Sequence, residues 1–400
     1  MPLQPWMKLV STDDHLIEHA GVWQDRLPAK YREQGPQIIE QAGPLPSKYK
    51  DGQGPKLEEK STAEARPPAQ VWRYEDRIYR YLGLNAVAGK KPEEYGTEPL
   101  RFDDMLPGCY DPKARLADMD IDGIWAALCF PSFPRFAGTV FIEGTDKELA
   151  KLCVRAWNDF NVDEWCATAP DRFLPLTILP LWDPDACVAE IHRTAAKGAK
   201  AIAFPENPEP LGLPSLHTDH WDKVFSAAEE TDMPLVMHFG GSGKPPITSA
   251  DAPMAVMIAL FGCNSMYATA DLLFSPVFHR HPKLKIGLSE GSIGWVPYLL
   301  ERIDNTWERH RFYQNIDQTT RPSELFYKHI HGCFIDDDFG IKNRHDIGID
   351  NITWECDYPH SDSHWPHSRK HAAETFADVP DEDVHKIVEL NARRLYNFPA

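Results

Sequence analysis

Eight short apolar runs recur along the chain, each bounded by turn-forming or charged residues. Continuous apolarity of this kind is typical of strands that are buried on both faces of a parallel sheet. Segments with helical spacing of apolar residues lie between the runs, and this alternation predicts crossover units. Eight such units favour an α/β fold of the closed (β/α)8 type, the TIM barrel. The runs are 7–12, 122–130, 173–181, 199–204, 234–239, 284–289, 332–336 and 351–356.

The predicted helices between and after these runs lie at 146–167, 183–198, 218–232, 294–310 and 383–397. The last segment predicts an amphipathic C-terminal helix that closes the barrel. Its inward-facing residues should be Val384, Ile387, Val388 and Leu390. We expect residues 1–400 to form one barrel domain, with one long insertion inside it.

The insertion covers residues 20–112, which follow the first strand and contain several Pro-rich and Gly-rich stretches. A disordered linker is one interpretation of this composition. The alternative is an ordered arm, because aromatic side chains within 71–89 would be unfavourable in water. We expect an arm that packs over the barrel mouth as a lid, or against a second subunit. The aromatic residues in question are Trp72, Tyr74, Tyr79 and Tyr81.

The formal net charge of −18 excludes some classes of partner. The basic residues form no stripe that would follow a phosphate backbone, so nucleic acid is not an expected partner. No apolar run reaches the roughly 18 residues that span a bilayer, and the first residues lack the pattern of a secretion signal. We therefore expect a cytoplasmic protein that binds no membrane, with its scattered cysteines reduced.

Polar residues that end or closely follow the apolar runs are the candidates for chemistry, because barrel enzymes build their sites at the carboxyl ends of the strands. Imidazole and carboxylate groups in such positions suit a divalent zinc, manganese or iron ion. Glu206 lies one proline past its run and receives no predicted role. The full set is Asp13, His15, Glu206, His238, Glu290, Asp336 and Asp357.

Asp13 and His15 are the first candidate pair of ligands. Side chains two residues apart on a strand point to the same side, so both can face the barrel axis and bind one ion. The spacing alone is weak evidence, because it recurs elsewhere, for example at Glu190/His192 and Asp362/His364. The position just past the first strand distinguishes Asp13/His15 from these repeats.

His238, Glu290 and Asp357 each leave an alternative open. His238 ends a strand before two glycines, and the alternative to a ligand is a core histidine bonded to a carbonyl. Glu290 follows the next strand, and its alternative is a carboxylate at the start of a helix. Asp357 follows the last strand with His360 nearby, and its alternative is a turn former. A metal-bound aspartate beside a bound water can also accept a proton.

Several motifs in this order resemble those of the metal-dependent amidohydrolase superfamily. Within it, the closest similarity is to the branch that contains aminocarboxymuconate semialdehyde decarboxylase and the aromatic-acid decarboxylases. The segment at 275–304 and the DYPH sequence after the last strand are the most specific of these motifs. The motifs are DDHLIE (13–18), FPSFPRFAG (130–138), MHFGGSG (237–243), the segment 275–304, CDYPHSDSHWP (356–366) and the ending LNARRLYNF.

The resemblance implies one divalent ion, with zinc as the first expectation and manganese or iron as alternatives. Its ligands would be Asp13, His15, His238 and Asp357. Relatives commonly carry a histidine where this chain has Glu290, and an anionic carboxylate cannot act as a cationic electrophile. Glu290 would then be a proton shuttle, a substrate anchor or a partner of the ligands. The resemblance also implies a homodimer or a larger homo-oligomer.

Three functions follow for such a chain. The first is non-oxidative decarboxylation of an unsaturated or aromatic acid, with Asp357 or Glu290 supplying the proton and His360 as a candidate relay. The second is metal-dependent hydrolysis of an amide, lactone or related carbonyl, with Asp357 as the base. The third is a metal-free barrel that serves as a binding or assembly protein. We expect decarboxylation, because the relatives on this branch carry it out.

Overall fold

The strands of this computed structural model form two sheets within the described residues, 3–41, 68–80, 82–83, 85–95, 101–249 and 251–399. One sheet is large and wholly parallel, and the other is a small antiparallel sheet that belongs to the insertion. The strands are β1 Leu9–His15, β2 Gln37–Gln41, β3 Ala69–Tyr74, β4 Arg77–Tyr79, β5 Ile124–Phe130, β6 Phe173–Leu174, β7 Leu176–Thr177, β8 Ala201–Ala203, β9 Leu235–His238, β10 Ile286–Ser289, β11 Ile330–Phe334 and β12 Ile352–Trp354.

The parallel sheet is a barrel that closes through the run 173–177. Its strand order is β6-β5-β1-β12-β11-β10-β9-β8-β7, so its two ends are β6 and β7. These ends are neighbours in sequence, separated only by Pro175, which has no N–H for the ladder. β6 pairs with β5 and β7 pairs with β8, and the ring of pairings is complete. The prediction of an α/β barrel is therefore confirmed.

Helices follow most strands and cover the outside of the barrel. Aspartate side chains begin several of them, as when Asp183 accepts a hydrogen bond from the Ala186 N–H at the start of the fourth helix. No helix in the described part of the chain has the length and apolar character needed to cross a membrane. The helices are α1 Gly21–Gln24, α2 Pro112–Asp122, α3 Lys147–Phe160, α4 Pro184–Ala195, α5 Asp222–Thr231, α6 Met254–Ala259, α7 Phe261–Phe274, α8 Val277–Arg280, α9 Val296–His310, α10 Pro322–His329, α11 Asp338–Lys342, α12 Arg344–Ile347, α13 Ser368–Thr375, α14 Asp381–His385 and α15 Asn391–Leu395.

The predicted closing helix is present but contains a π-helical turn. α14 and α15 are joined by this turn at Lys386–Leu390. Val384, Ile387 and Val388 are buried as predicted, but Leu390 is 40% exposed, so its predicted inward position was wrong. A π turn holds more residues than an α turn and rotates the following side chains, which a constant helical period does not anticipate.

The described part of the insertion is ordered and packs against the barrel loops. β2, β3 and β4 form the antiparallel sheet, and Trp72 stacks on Phe133 with ring centroids 4.6 Å apart. Trp72 and Tyr74 are fully buried, so a disordered linker does not describe this stretch. Residues 42–67 and 96–100 lie outside the described residues, as does Tyr81. The role of the arm as a lid stays a prediction.

Candidate metal centre

Five of the predicted site residues meet at the carboxyl ends of the barrel strands. Asp13 and His15 end β1, His238 ends β9, Glu290 directly follows β10, and Asp357 lies just after β12. All five are buried or nearly so. Because the strands are parallel and neighbouring, their carboxyl ends open on the same face of the barrel.

The alternation of side chains along β1 separates its two aspartates. Asp13 and His15 face the barrel axis, whereas Asp14 points to the other side and lies 3.5 Å from the guanidinium of the buried Arg115. Arg115 also donates a hydrogen bond from Nε to the Gly108 carbonyl at 2.8 Å and another to the His15 carbonyl. Arg115 therefore fixes the end of β1 while its charge stays on the outer side of that strand.

The inward-facing side chains surround a small common volume. His15 Nε2 lies 3.4 Å from Asp13 Oδ1, 3.2 Å from Asp357 Oδ1 and 3.3 Å from His238 Nε2. His238 Nε2 lies 3.4 Å from Asp13 Oδ2 and 3.2 Å from Glu290 Oε2. Two imidazole nitrogens on one tetrahedral ion, with bonds of about 2.0–2.1 Å, would have nearly this separation.

The carboxylates of Asp13 and Asp357 are deeply buried and poorly compensated. Asp357 Oδ1 lies 2.9 Å from His360 Nδ1, whereas Asp357 Oδ2 and both oxygens of Asp13 have no well-formed hydrogen bond. Burial raises the pKa of Asp13 well above its usual value, and the charges of Glu355 and Glu290 add to this effect. The pKa of Asp357 is raised in the same way, by burial first and then by Glu290 and Asp13. Buried carboxylates of this kind require a cation or protonation.

The two histidines are in the state that a metal ion requires. Burial lowers the pKa of His238 to about 3, and burial together with the charges of His360 and His238 lowers that of His15 well below its usual value. The Nδ1 of His238 donates to the Phe239 carbonyl at 2.8 Å, which leaves the Nε2 lone pair directed into the cluster. Neutral imidazoles beside unpaired carboxylates form a donor set that fits a divalent ion.

The sequence left alternatives for these residues. Asp357 does begin a turn, because its carbonyl accepts a hydrogen bond from the His360 N–H at 2.9 Å, and its side chain lies in the cluster as well. The hydrogen bond from His238 to a carbonyl uses only Nδ1, so Nε2 is still available to bind an ion. Glu290 is not at the start of a helix, because α9 begins only at Val296. Glu290 and Asp357 both have positive φ, at 53° and 58°, a conformation that is unfavourable for residues other than glycine. Strained backbone at two strand ends directs both carboxylates toward the histidines.

His360 also belongs to the cluster. Its Nδ1 lies 2.9 Å from Asp357 Oδ1, and its ring packs against that of His15 with centroids 3.9 Å apart and planes tilted by 31°. On the other side, Phe136 stacks on His238 at 3.7 Å. The cluster therefore has a flat aromatic boundary that limits access of water to the ligand atoms. The ligand roles of Asp13, His15, His238 and Asp357 stay predictions that this geometry supports.

Glu355 is a buried carboxylate of the cluster that the sequence reasoning missed. It accepts hydrogen bonds from the Glu290 backbone N–H at 3.2 Å and from the Cys333 thiol. Burial raises its pKa to about 8, and the charge of Glu290 adds to this. Glu355 lies within the apolar run 351–356, so it was not among the predicted site residues. The available signal was a glutamate two residues before Asp357, at the end of a largely apolar run.

Glu206, which received no role from the sequence, anchors the loop that follows His238. Its carboxylate accepts hydrogen bonds from the Ser242 N–H at 2.8 Å and from the Ser242 hydroxyl at 2.7 Å. Burial raises its pKa from 4.5 to about 7, although these hydrogen bonds oppose the change. Glu206 therefore holds the backbone beside His238 in place without reaching the histidine ring.

Replacing Glu206 with glutamine should flatten the pH dependence of stability. Because the pKa is higher in the folded state, the stabilisation is complete below about pH 4.5 and is lost as pH rises through about 7. The wild-type protein should lose about 3 kcal/mol of unfolding free energy over this interval relative to Glu206→Gln. Urea unfolding at several pH values measures this difference. Glu382→Gln, at an exposed glutamate, is the control and should leave the pH dependence unchanged. If the unfolding free energy of Glu206→Gln changed with pH as steeply as that of the wild type, the raised pKa of Glu206 would be contradicted.

Comparisons with known proteins place the chain in a family. A family model described as amidohydrolase matches residues 62–398. A gamma-resorcylate decarboxylase of Rhizobium sp. (strain MTP-10005) is 27% identical over 338 residues, which cover 79% of this chain and 94% of the relative. The chain belongs to the amidohydrolase family, as the sequence motifs predicted. It is an enzyme of that superfamily, which counts against the non-enzymatic alternative.

Solved structures show the same fold. An amidohydrolase of Mycobacterium avium subsp. paratuberculosis K-10 has a TM-score of 0.72 at 21% identity, covering 98% of this chain and 100% of that chain. A dihydroxybenzoic acid decarboxylase of Polaromonas sp. JS666, solved with manganese and the inhibitor 2-nitroresorcinol, has a TM-score of 0.56 at 20% identity. That match covers 73% of this chain and 87% of the relative.

Proposed function

We propose that this enzyme is a divalent-metal-dependent, non-oxidative decarboxylase of a hydroxylated aromatic acid. The observation that carries the proposal is the buried cluster in which the carboxylates of Asp13 and Asp357, three of whose four oxygens have no well-formed hydrogen bond, face two histidines whose pKa is lowered by burial. The curated relative from Rhizobium is named for decarboxylation of gamma-resorcylate, which supports this reaction class. The relative with bound manganese supports testing manganese beside zinc, the first expectation from the sequence.

The proposed ligands are Asp13, His15, His238 and Asp357, whose contacts converge through the two histidine Nε2 atoms. When bound, the ion would supply positive charge that holds the substrate carboxylate and a neighbouring oxygen. The ring carbon that loses carbon dioxide must then gain a proton. Glu290, beside His238, or Asp357 would deliver it, with His360, 2.9 Å from Asp357, as the candidate relay.

The flat side chains around the cluster fit an aromatic substrate. Phe136 stacks on His238, and Phe239 stacks on Phe261 with centroids 3.7 Å apart. A planar ring can lie against such a surface while its carboxylate reaches the charged groups. Exclusion of water from this volume favours loss of carbon dioxide over attack by hydroxide.

Isotope labelling tests the proposal directly. The protein is loaded with manganese or zinc and incubated with gamma-resorcylate and related hydroxybenzoates in D₂O. We expect release of carbon dioxide and one deuterium on the ring carbon that lost it. In H₂¹⁸O, label that enters the organic product without release of carbon dioxide would contradict decarboxylation and favour hydrolysis. A homo-oligomeric state and a cytoplasmic location stay predictions from the sequence.

A further inference from the structure

A second cluster of metal-binding side chains lies on the same face of the barrel, outside the central site. Asp336 follows β11, His364 lies in the loop after β12, and His371 lies in α13. The side chains are 54%, 34% and 31% exposed, in that order. One potential ligand atom from each lies within 4.8 Å of those of the other two. The sequence placed Asp336 among the candidate residues at strand ends, but its side chain pairs with His364 and His371 and not with the central cluster.

The two imidazoles converge on one carboxylate. His364 Nε2 lies 2.7 Å from Asp336 Oδ2, and His371 Nε2 lies 2.5 Å from Asp336 Oδ1. The two rings are stacked with centroids 3.6 Å apart and planes 16° apart. Stacking of this kind places both Nε2 atoms side by side and facing the same way. To bind a zinc-type ion with bonds of about 2.0–2.1 Å, the histidine nitrogens and the carboxylate oxygens would have to move apart, but by less than about 1 Å.

The surroundings favour a cation at this point. The next residue, Asp337, is already engaged, because its carboxylate accepts from the N–H groups of Ile293, Gly294 and Gly340. Asp336 is not used in this way, and among the described residues its ion pairs are to the two histidines. The carboxylates of Asp122 and Asp362 also act electrostatically on His364. The local charge is therefore negative.

We propose that Asp336, His364 and His371 form a second site for a divalent transition metal ion of the zinc or nickel class. Two imidazoles and one carboxylate are ligands that such ions prefer, and water completes the coordination because the cluster is partly exposed. The ion joins the end of β11, the loop after β12 and α13. That loop also carries His360, so the second site restrains a segment of the central site.

Metal titration of the full-length protein tests this site separately from the central one. The probe is Zn²⁺ alone, measured by equilibrium dialysis with elemental analysis. The background is His238→Ala, which is expected to remove the central ion. In this background the protein should bind about one equivalent, and adding His364→Ala, His371→Ala or Asp336→Asn should lower this to below about 0.2. Asp336→Asn keeps the side-chain volume, so a folded variant is available for the comparison.

His217 provides the matched control. It is an exposed histidine that pairs with a single carboxylate, that of Asp271, at 2.6 Å. Adding His217→Ala to the same background should leave the bound equivalent unchanged. Zinc binding that persists in the Asp336→Asn and His371→Ala variants would overturn the proposal. Loss of binding in the His217→Ala control would also overturn it, because the ion would then not be specific to this cluster.

Discussion

Replacing His238 with alanine should reduce the central ion from about one equivalent to below about 0.1, and turnover should fall by at least about 10³. His238 Nε2 contacts Asp13, His15 and Glu290, so its loss removes the one nitrogen that faces all three. Asp357→Ala should have a similar effect, because it removes a buried carboxylate whose Oδ1 lies 3.2 Å from His15 Nε2. Elemental analysis and steady-state kinetics on the same samples provide both measurements.

His331 is the control for this experiment, because it is also a buried histidine on a barrel strand. It lies on β11 and belongs to no cluster of potential ligands among the described residues. His331→Ala should therefore keep the central ion even if the protein is less stable. Zinc added at micromolar concentration would also occupy the second site, so the central ion is counted in an Asp336→Asn background. Full occupancy in both His238→Ala and Asp357→Ala would refute the ligand assignment.

Replacing Glu290 with glutamine should lower kcat by about 10² or more while the ion content stays intact. The carboxyl oxygen lies 3.2 Å from His238 Nε2, and burial first, then the charge of Asp362, raises its pKa well above the usual value. A carboxyl group whose pKa is raised holds its proton more tightly than a free glutamate does, which suits it to act as a general acid toward the substrate ring. Glutamine preserves the shape of the side chain and removes this proton.

Glu206→Gln is the matched control, because it makes the same change at another buried glutamate near the site that does not reach His238. It should retain nearly wild-type kcat near pH 6. Loss of the ion in Glu290→Gln would mean that Glu290 is a ligand, contrary to the proposed role as proton donor. Retention of wild-type kcat would exclude Glu290 as the proton donor and leave Asp357, with His360 as its relay, as the remaining candidate.

The central cluster could be anticipated because a parallel barrel brings all its strand ends to one face. Asp13, His15, His238, Glu290 and Asp357 end or follow apolar runs, and their position places them on one face. The same reasoning also included Glu206 and Asp336, which have other partners, so strand order alone does not select the five. The barrel itself follows from the alternation of runs and helices. The prediction of which groups bind the ion depended on the family resemblance, because strand position alone does not separate Glu290 from Asp357.

Other features depend on contacts that the sequence does not encode locally. Glu355 lies inside an apolar run, and only its contact with Cys333 and the Glu290 backbone reveals its environment. The second cluster combines a strand end with a loop and a helix, so no spacing predicts it. The π turn at Lys386–Leu390 packs against β1 and β12, and a constant helical period anticipates neither this turn nor the exposure of Leu390.

The pairing of β1 with β12 brings together segments from opposite ends of the sequence. The Asp357 N–H donates to the Asp13 carbonyl at 2.8 Å, so two proposed ligands are joined directly across this pair. During synthesis on the ribosome, Asp13 and His15 emerge long before Asp357 exists. A nascent chain therefore offers only an incomplete set of donors, and loading of the ion should be among the last events of maturation.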